Sequence, residues 1–168
     1  MKTLLMMRHA KSDWDADYGH DHDRPLNKRG RRAADAMGRW LALTGQLPDR
    51  VLCSTAVRAR TTLERAMEAG DWDCGVDHDE RVYGAGHRAL IELIAGTSKR
   101  VDQLMVIGHE PGMTALFSTL IGSAHIRFPT AAAARIELRA ERWRDVRSGC
   151  GSLTWFLPPR VLADLDLR

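Results

Sequence analysis

The sequence has few cysteines and no long hydrophobic run. Its three cysteines, Cys53, Cys74 and Cys150, lie far apart and form no C-x-x-C pair, so we expect free thiols in a reducing compartment. The apolar start at 1–7 is too short for the core of a signal peptide, and Arg8 interrupts it. No apolar run approaches the roughly 20 residues that span a bilayer. These absences predict a cytoplasmic protein with no membrane partner.

Excess charge and clustered aromatic residues are missing as well. The chain carries 25 Lys and Arg against 22 Asp and Glu, a net charge of +3, which is too small to indicate nucleic acid by itself. Its five tryptophans are spread along the sequence, so they provide no stacking platform for single-stranded nucleic acid. We therefore expect no nucleic-acid partner, while the sequence pI near 9.0 leaves an anionic partner open.

The 168 residues, 44% of them hydrophobic and 28% charged, suit one compact domain spanning 1–168, which can bury a core without a disulfide or a metal. Short apolar runs alternate with amphipathic stretches. This order predicts an α/β fold, a three-layer α/β/α sandwich with a mostly parallel sheet covered on both faces. Strands are expected at 3–7, 50–53, 74–76 and 103–107, with an antiparallel pair at 133–138 and 152–157. Helices are expected at 31–43, 56–69, 89–95 and 111–121.

The residues that follow the strands are the candidates for function, because such sheets bind ligands beyond the carboxyl ends of their strands. The first strand runs into Arg8 and His9. The second is followed by Arg58 in the next helix, and the strand at 103–107 ends just before His109. Two guanidinium groups, two imidazoles and free helix N–H groups would then surround one point. This set of donors predicts a site for a tetrahedral anion, phosphate.

Hydroxyl groups and a third guanidinium lie near the same strand ends. Ser12 follows the first strand and Ser54 the second, and both are candidates to bind substrate. The segment 13–28 is rich in Asp, His and Gly and is predicted to be a surface loop. Its Asp and His residues at 20–23 lack the spacing of a structural zinc site. We interpret them as a solvated loop beside the site, from which Arg24 reaches the substrate phosphate.

These side chains also indicate the reaction. A neutral imidazole is a competent nucleophile toward phosphorus and carries the phosphoryl group as a covalent intermediate, a part that suits His9. Phosphoryl transfer requires positioning and neutralisation of charge on the equatorial oxygens. The planar forks of Arg8 and Arg58 supply this in a way that lysine does not match, and His109 adds a further donor. With these donors no metal ion or other cofactor is required, and we expect none.

Taken together, five segments resemble the histidine phosphatase superfamily, formerly grouped with the phosphoglycerate mutases and acid phosphatases. The segments are 7–14, 24–30, 53–61, 106–112 and 153–158. The similarity is closest to the short SixA-type phosphohistidine phosphatases and runs in order from residue 2 to about residue 159. The resemblance implies a phosphoglycerate mutase-like fold with His9 as the nucleophile. It also implies that Arg8 and Arg58 bind phosphate and that His109 completes the pocket.

The resemblance suggests a general acid as well. Larger members place a carboxylate after the middle of the chain, and the segment 80–84 looks like that part, which gives the acid role to Glu80. This residue would protonate an alkoxide leaving group and later activate water. In a phosphohistidine substrate the leaving group is an imidazole, which departs more readily than an alkoxide and needs the acid less. The alternative is that Glu80 is a surface carboxylate in an acidic run.

The sequence therefore predicts a metal-independent phosphatase that works through a phosphohistidine intermediate on His9. Phosphohistidine in a protein is the favoured substrate class. A first alternative is a broad-specificity phosphomonoesterase acting on small phosphoesters, which would depend on Glu80. A second is a non-catalytic phosphate-binding module that recognises phosphorylated partners, although both arginines and both histidines of the site are present.

Overall fold

In the computed structural model, which describes residues 1–122 and 126–163, the chain forms six strands and four α-helices. The expected domain at 1–168 also includes residues 123–125 and 164–168, which lie outside the described residues. The strands are β1 (Lys2–Arg8), β2 (Arg50–Ser54), β3 (Gly75–Asp79), β4 (Gln103–Gly108), β5 (Ala133–Leu138) and β6 (Gly151–Leu157). The helices are α1 (Lys28–Leu43), α2 (Val57–Gly70), α3 (His87–Ala95) and α4 (Gly112–Ile121).

The strands form one sheet in the order β3-β2-β4-β1-β5-β6. The four strands from β3 to β1 run parallel, whereas β5 pairs antiparallel with both β1 and β6. The prediction of a mostly parallel sheet with a closing antiparallel pair is confirmed. Because β4 lies between β1 and β2, the residues that follow these three strands meet at one edge of the sheet.

The helices cover both faces of the sheet and complete the predicted α/β/α sandwich. Helices α1 and α2 enclose one buried cluster with β1 and β2, and α3 and α4 enclose another on the opposite face. A Cβ atom on Gly38 would lie 2.1 Å from the carbonyl oxygen of Ala66, so only glycine allows this close crossing of α1 and α2. Among the described helices, none combines the length and the apolar character needed to cross a membrane.

Two elements extend by three residues beyond the sequence-based expectation, while the limits of the others agree within two residues. Helix α1 begins at Lys28 rather than at 31, because the side chain of Asn27 caps it by accepting a 2.8 Å hydrogen bond from the backbone N–H of Gly30. Strand β3 extends to Asp79 although its sequence is polar and mostly exposed. It pairs in parallel with β2, from Arg50 opposite Gly75 to Ser54 opposite Asp79. This backbone pairing extends the strand beyond what its weak apolar pattern indicated.

Candidate active site

A pocket of about 170 Å³ opens where β1, β2 and β4 end. Residues that line it include Arg8, His9, Ser12, Arg24, Arg58 and His109. The backbone N–H of His9 donates to the carbonyl of Gly108 at 3.1 Å, which ties the end of β1 to the end of β4. The rings of His9 and His109 consequently lie with their centroids 4.9 Å apart. The strand ends therefore meet as the sequence predicts.

The ring of His9 is held in one tautomer. Its Nδ1 lies 2.7 Å from the carbonyl oxygen of Ala10. Because a carbonyl only accepts, Nδ1 carries the hydrogen and Nε2 keeps its lone pair. Burial lowers the pKa of His9 to about 3, an effect that the hydrogen bond to Ala10 opposes and that the charges of His109, Arg58 and Arg8 reinforce. His9 is therefore a neutral imidazole with a free nucleophilic nitrogen at neutral pH.

The second histidine is anchored by Ser54. Nε2 of His109 lies 2.7 Å from the Ser54 hydroxyl, whose oxygen also accepts the backbone N–H of Ala56 at 3.3 Å. This arrangement favours a serine hydrogen donated to Nε2 and leaves the imidazole hydrogen on Nδ1. Burial, followed by the charge of Arg58, lowers the pKa of His109 to about 4. Ser54 thus contacts a catalytic candidate in addition to standing at the predicted strand end.

Three buried donors in the pocket have no partner among the described residues. They are Nε of Arg8, Nε of Arg58 and Nδ1 of His109. Arg8 is fixed by a 2.9 Å hydrogen bond from Nη1 to the carbonyl of Phe128. A buried donor without an acceptor is unfavourable, so these groups are prepared for an anion that accepts from several directions. Phosphate has that chemistry.

The backbone of Arg8 and His9, at the end of β1, is held by Ala131. The backbone N–H of Ala131 donates to the carbonyls of both Arg8 and His9 at 3.1 Å. Ala131 adopts a φ of 60°, a left-handed conformation that costs a non-glycine residue roughly 1–2 kcal/mol. Strained backbone of this kind is found where the surroundings fix a functional geometry. No pattern in the sequence around Ala131 indicated that it would hold the backbone of Arg8 and His9.

A larger cleft, about 650 Å³, lies between β2, β3 and α3. Four of its charged groups are paired with each other, since Arg81 binds Asp79 at 2.6 Å and Arg50 binds Asp77. The pocket at the strand ends is smaller but holds the buried imidazoles and unpartnered donors. We therefore identify the smaller pocket as the candidate active site.

Comparison with known proteins agrees with this geometry. The model of the histidine phosphatase superfamily (branch 1) matches residues 4–84, a range that contains Arg8, His9 and Arg58. An uncharacterized protein of Mycobacterium tuberculosis is 40% identical over 164 residues, covering 92% of this chain and 100% of the relative. The chain belongs to the histidine phosphatase superfamily. It is thus a phosphatase by family, and the donors of its pocket suit a phosphate group.

Relatives of defined activity resemble the phosphatase over most of its length. The phosphohistidine phosphatase SixA of Escherichia coli (strain K12) is 28% identical over 159 residues, covering 93% of each chain. The solved structure of the protein histidine phosphatase SixA complexed with tungstate superimposes with a TM-score of 0.78 and 26% identity, covering 95% of this chain and 99% of that one. The predicted phosphoglycerate mutase-like fold is confirmed.

The segment 13–28 of the phosphatase is mostly exposed or half-buried and holds only the short 3-10 turn Asp21–Asp23 before α1, as expected of a surface loop. Ser12 and Leu26 form an isolated antiparallel bridge, and Arg24 is buried with 5% of its surface exposed. Nη1 of Arg24 donates to the Ser12 hydroxyl at 2.6 Å. Arg24 and Leu26 are the buried exceptions in the segment, because the bridge holds its end against Ser12. Arg24 and Ser12 do line the pocket.

Two residues that the sequence reading did not select complete the phosphatase site. The carboxylate of Asp21 binds Arg24 at 2.8 Å and Arg58 at 2.9 Å. It also accepts a 2.8 Å hydrogen bond from the hydroxyl of Tyr83, whose ring contacts His109 edge-on at 5.4 Å between centroids. Asp21 stands three residues before Arg24, a spacing that places both on one turn, and this is the signal that could have indicated it.

The predicted general acid lies elsewhere on the surface. Glu80 begins the 3-10 turn Glu80–Val82 after β3 and is exposed, and it is not among the described residues that line the pocket. A different carboxylate, that of Glu110, lines the pocket and accepts a 2.8 Å hydrogen bond from the hydroxyl of Thr114. The acid role of Glu80 stays a prediction.

Proposed function

We propose that the phosphatase hydrolyses phosphohistidine in a protein through a phosphohistidine intermediate on His9. The observation that carries this proposal is the 2.7 Å contact of His9 Nδ1 with the Ala10 carbonyl, because it leaves Nε2 as the free nucleophile. The named activity of SixA proteins, phosphohistidine phosphatase, supports the choice of substrate class.

The first step is transfer of the phosphoryl group to the enzyme. The lone pair of His9 Nε2 attacks phosphorus, and the P–N bond of the substrate phosphohistidine breaks. The electron pair of that bond stays on the leaving imidazole, which takes up a proton from solvent. Because imidazole is a good leaving group, this step does not depend on a strong general acid such as an alkoxide would need.

The second step releases phosphate. Water attacks phosphorus, the P–N bond to His9 breaks, and Nε2 regains its lone pair while the proton of water passes to the departing phosphate or to solvent. In both steps charge on the equatorial oxygens is stabilised by groups already in place. Arg8 and Arg58 each offer a buried Nε donor, and Nδ1 of His109 is a neutral donor beside them.

The size of the pocket favours a phosphoryl group presented by a side chain. A volume of about 170 Å³ is below the roughly 300–1,000 Å³ of sites that enclose a drug-sized ligand. Most of a substrate other than its phosphoryl group must therefore remain outside. An exposed phosphohistidine on a protein meets this requirement, since only its ring and phosphoryl group enter.

The test is phosphate release from a phosphohistidine peptide and from p-nitrophenyl phosphate by wild type and His9→Ala, each with and without EDTA. We expect wild-type turnover with preference for the peptide, and none in His9→Ala. Rapid quenching should trap an acid-labile, alkali-stable phosphoenzyme in wild type alone.

Equal turnover by both proteins would overturn the role of His9. Turnover lost on chelation would overturn the metal-independent mechanism, and phosphate binding without turnover would establish a binding module.

A further inference from the structure

We propose that Asp21 is a positioning residue that holds the guanidinium groups of Arg24 and Arg58 for phosphate. The inference rests on the proposed phosphatase chemistry in that it concerns the same anion site. It goes beyond that chemistry because Asp21 neither attacks phosphorus nor moves a proton. Both arginines line the pocket, whereas Asp21 is not among the described residues that do.

Four hydrogen bonds converge on the Asp21 carboxylate. Oδ1 accepts from Nε and Nη2 of Arg24 at 3.1 and 2.8 Å. Oδ2 accepts from Nη2 of Arg58 at 2.9 Å and from the Tyr83 hydroxyl at 2.8 Å. Two planar forks are therefore fixed by one acceptor. Nε of Arg58 is left buried and without a partner among the described residues, which makes it available to a phosphate oxygen.

The charge balance requires an anion at this place. The side chains of Arg24 and Arg58 are 6% and 5% exposed, and Arg8 lines the same pocket. Buried like charges repel and lose hydration. Burial alone would raise the pKa of Asp21, but the bond from Tyr83 and the charges of Arg58 and Arg24 lower it to about 2. Asp21 is consequently ionised throughout the neutral pH range and offsets one of these positive charges.

The turn that carries Asp21 is also held by contacts that do not involve its carboxylate. Nη1 of Arg58 donates to the backbone carbonyl of Asp21 at 2.6 Å. Nε2 of His22 lies 3.0 Å from the hydroxyl of Thr55. Removing the carboxylate therefore leaves the turn attached to α2, so a variant at Asp21 tests the carboxylate rather than the turn.

The experiment compares Asp21→Ala with Asp23→Ala, a matched control whose carboxylate lies in the same turn and contacts only His22, at 3.5 Å, among the described residues. We expect Asp21→Ala to lower kcat/KM about 10–100-fold on the phosphohistidine peptide and on p-nitrophenyl phosphate, because small misplacements of a positioning group are costly. The affinity for inorganic phosphate, measured by calorimetry, should fall about tenfold. Asp23→Ala should stay within about twofold in both measurements.

A double-mutant cycle separates positioning from a merely structural part. Asp21→Asn removes the negative charge and leaves one acceptor oxygen where the carboxylate offers two. In the wild-type background, Asp21→Asn should weaken phosphate binding. In an Arg58→Ala background, the same substitution should lower the phosphate affinity by less than about a further twofold. Full additivity, or unchanged phosphate affinity in Asp21→Ala, would overturn the proposal. Phosphate affinity is measurable even if His9 proves not to be the nucleophile, so failure of the proposed function and failure of this inference are distinguishable.

Discussion

The hydroxyl of Ser54, at the end of β2, lies 2.7 Å from Nε2 of His109, which follows β4. The two residues are 55 positions apart in sequence, and both are buried. The serine oxygen also accepts the Ala56 N–H, and a serine hydrogen donated to Nε2 would leave the imidazole hydrogen on Nδ1. The contact sets the orientation of His109, whose Nδ1 is buried and has no partner among the described residues.

Removing this hydroxyl should weaken both stability and catalysis. In Ser54→Ala the buried Nε2 of His109 loses its partner, and we expect a loss of about 1–3 kcal/mol in the free energy of unfolding. We also expect a kcat/KM about tenfold lower, since His109 is no longer oriented. Denaturant unfolding and steady-state kinetics measure the two effects. Ser152→Ala, at an exposed serine on β6, is the control, and an equal loss in it would contradict this role of Ser54.

Arg58 and Arg60 provide a matched pair on one helix. Arg58 is buried and lines the pocket, whereas Arg60, two residues further along α2, is exposed. Arg58→Ala should lower kcat/KM by roughly 10²–10³-fold, the loss typical of one donor to developing charge. Arg60→Ala should stay near wild type. A loss below about tenfold in Arg58→Ala would remove Arg58 from the transition-state contacts.

Stability should fall in acid because two imidazoles are buried in the neutral form. Burial lowers the pKa of His9 to about 3 and of His109 to about 4, from an ordinary value of 6.5. The unfolded chain takes up these protons near its ordinary pKa and the folded chain does not. The stabilisation is thus complete above about pH 6.5 and is lost as the pH falls toward 4 and 3, by up to about 1.4 kcal/mol per unit for each imidazole.

Urea unfolding of wild type at pH 7, 6 and 5 measures this slope. His9→Gln and His109→Gln should each flatten the dependence, because each removes one proton difference between the unfolded and folded chains. His78→Gln, at an exposed histidine, should leave it unchanged. Parallel curves for all four proteins would show that neither imidazole is buried in the neutral form.

The role of Glu80 is separated by substrate chemistry. Glu80→Gln should leave turnover of a phosphohistidine peptide within about threefold of wild type, because imidazole departs without strong acid assistance. If Glu80 is the general acid for phosphoesters, the same variant should lose turnover of an alkyl phosphate severely. Retained turnover of the alkyl phosphate would instead show Glu80 to be a surface carboxylate. Glu141→Gln, at an exposed position, is the control.

Much of the fold could be predicted from local sequence. The apolar runs of β1, β2 and β4 are buried from end to end, so periodicity and composition identify them. The limits of strand β3 were harder to predict, because its side chains are mostly exposed and its backbone pairing with β2 sets where it ends. The first turn of α1 was also missed, because the Asn27 cap acts through one side chain rather than through a repeating pattern.

The sequence by itself determined the order of the elements and the chemistry at their ends. Short apolar stretches identify the buried strands, and the residues that follow each strand can be read directly from the sequence. It thereby placed Arg8, His9, Arg58 and His109 in one pocket. Only the tertiary structure decided which nitrogen of His9 is free, and that Asp21 joins Arg24 to Arg58. Such contacts depend on distances and directions of a few tenths of an ångström between segments remote in sequence, and no local pattern encodes them.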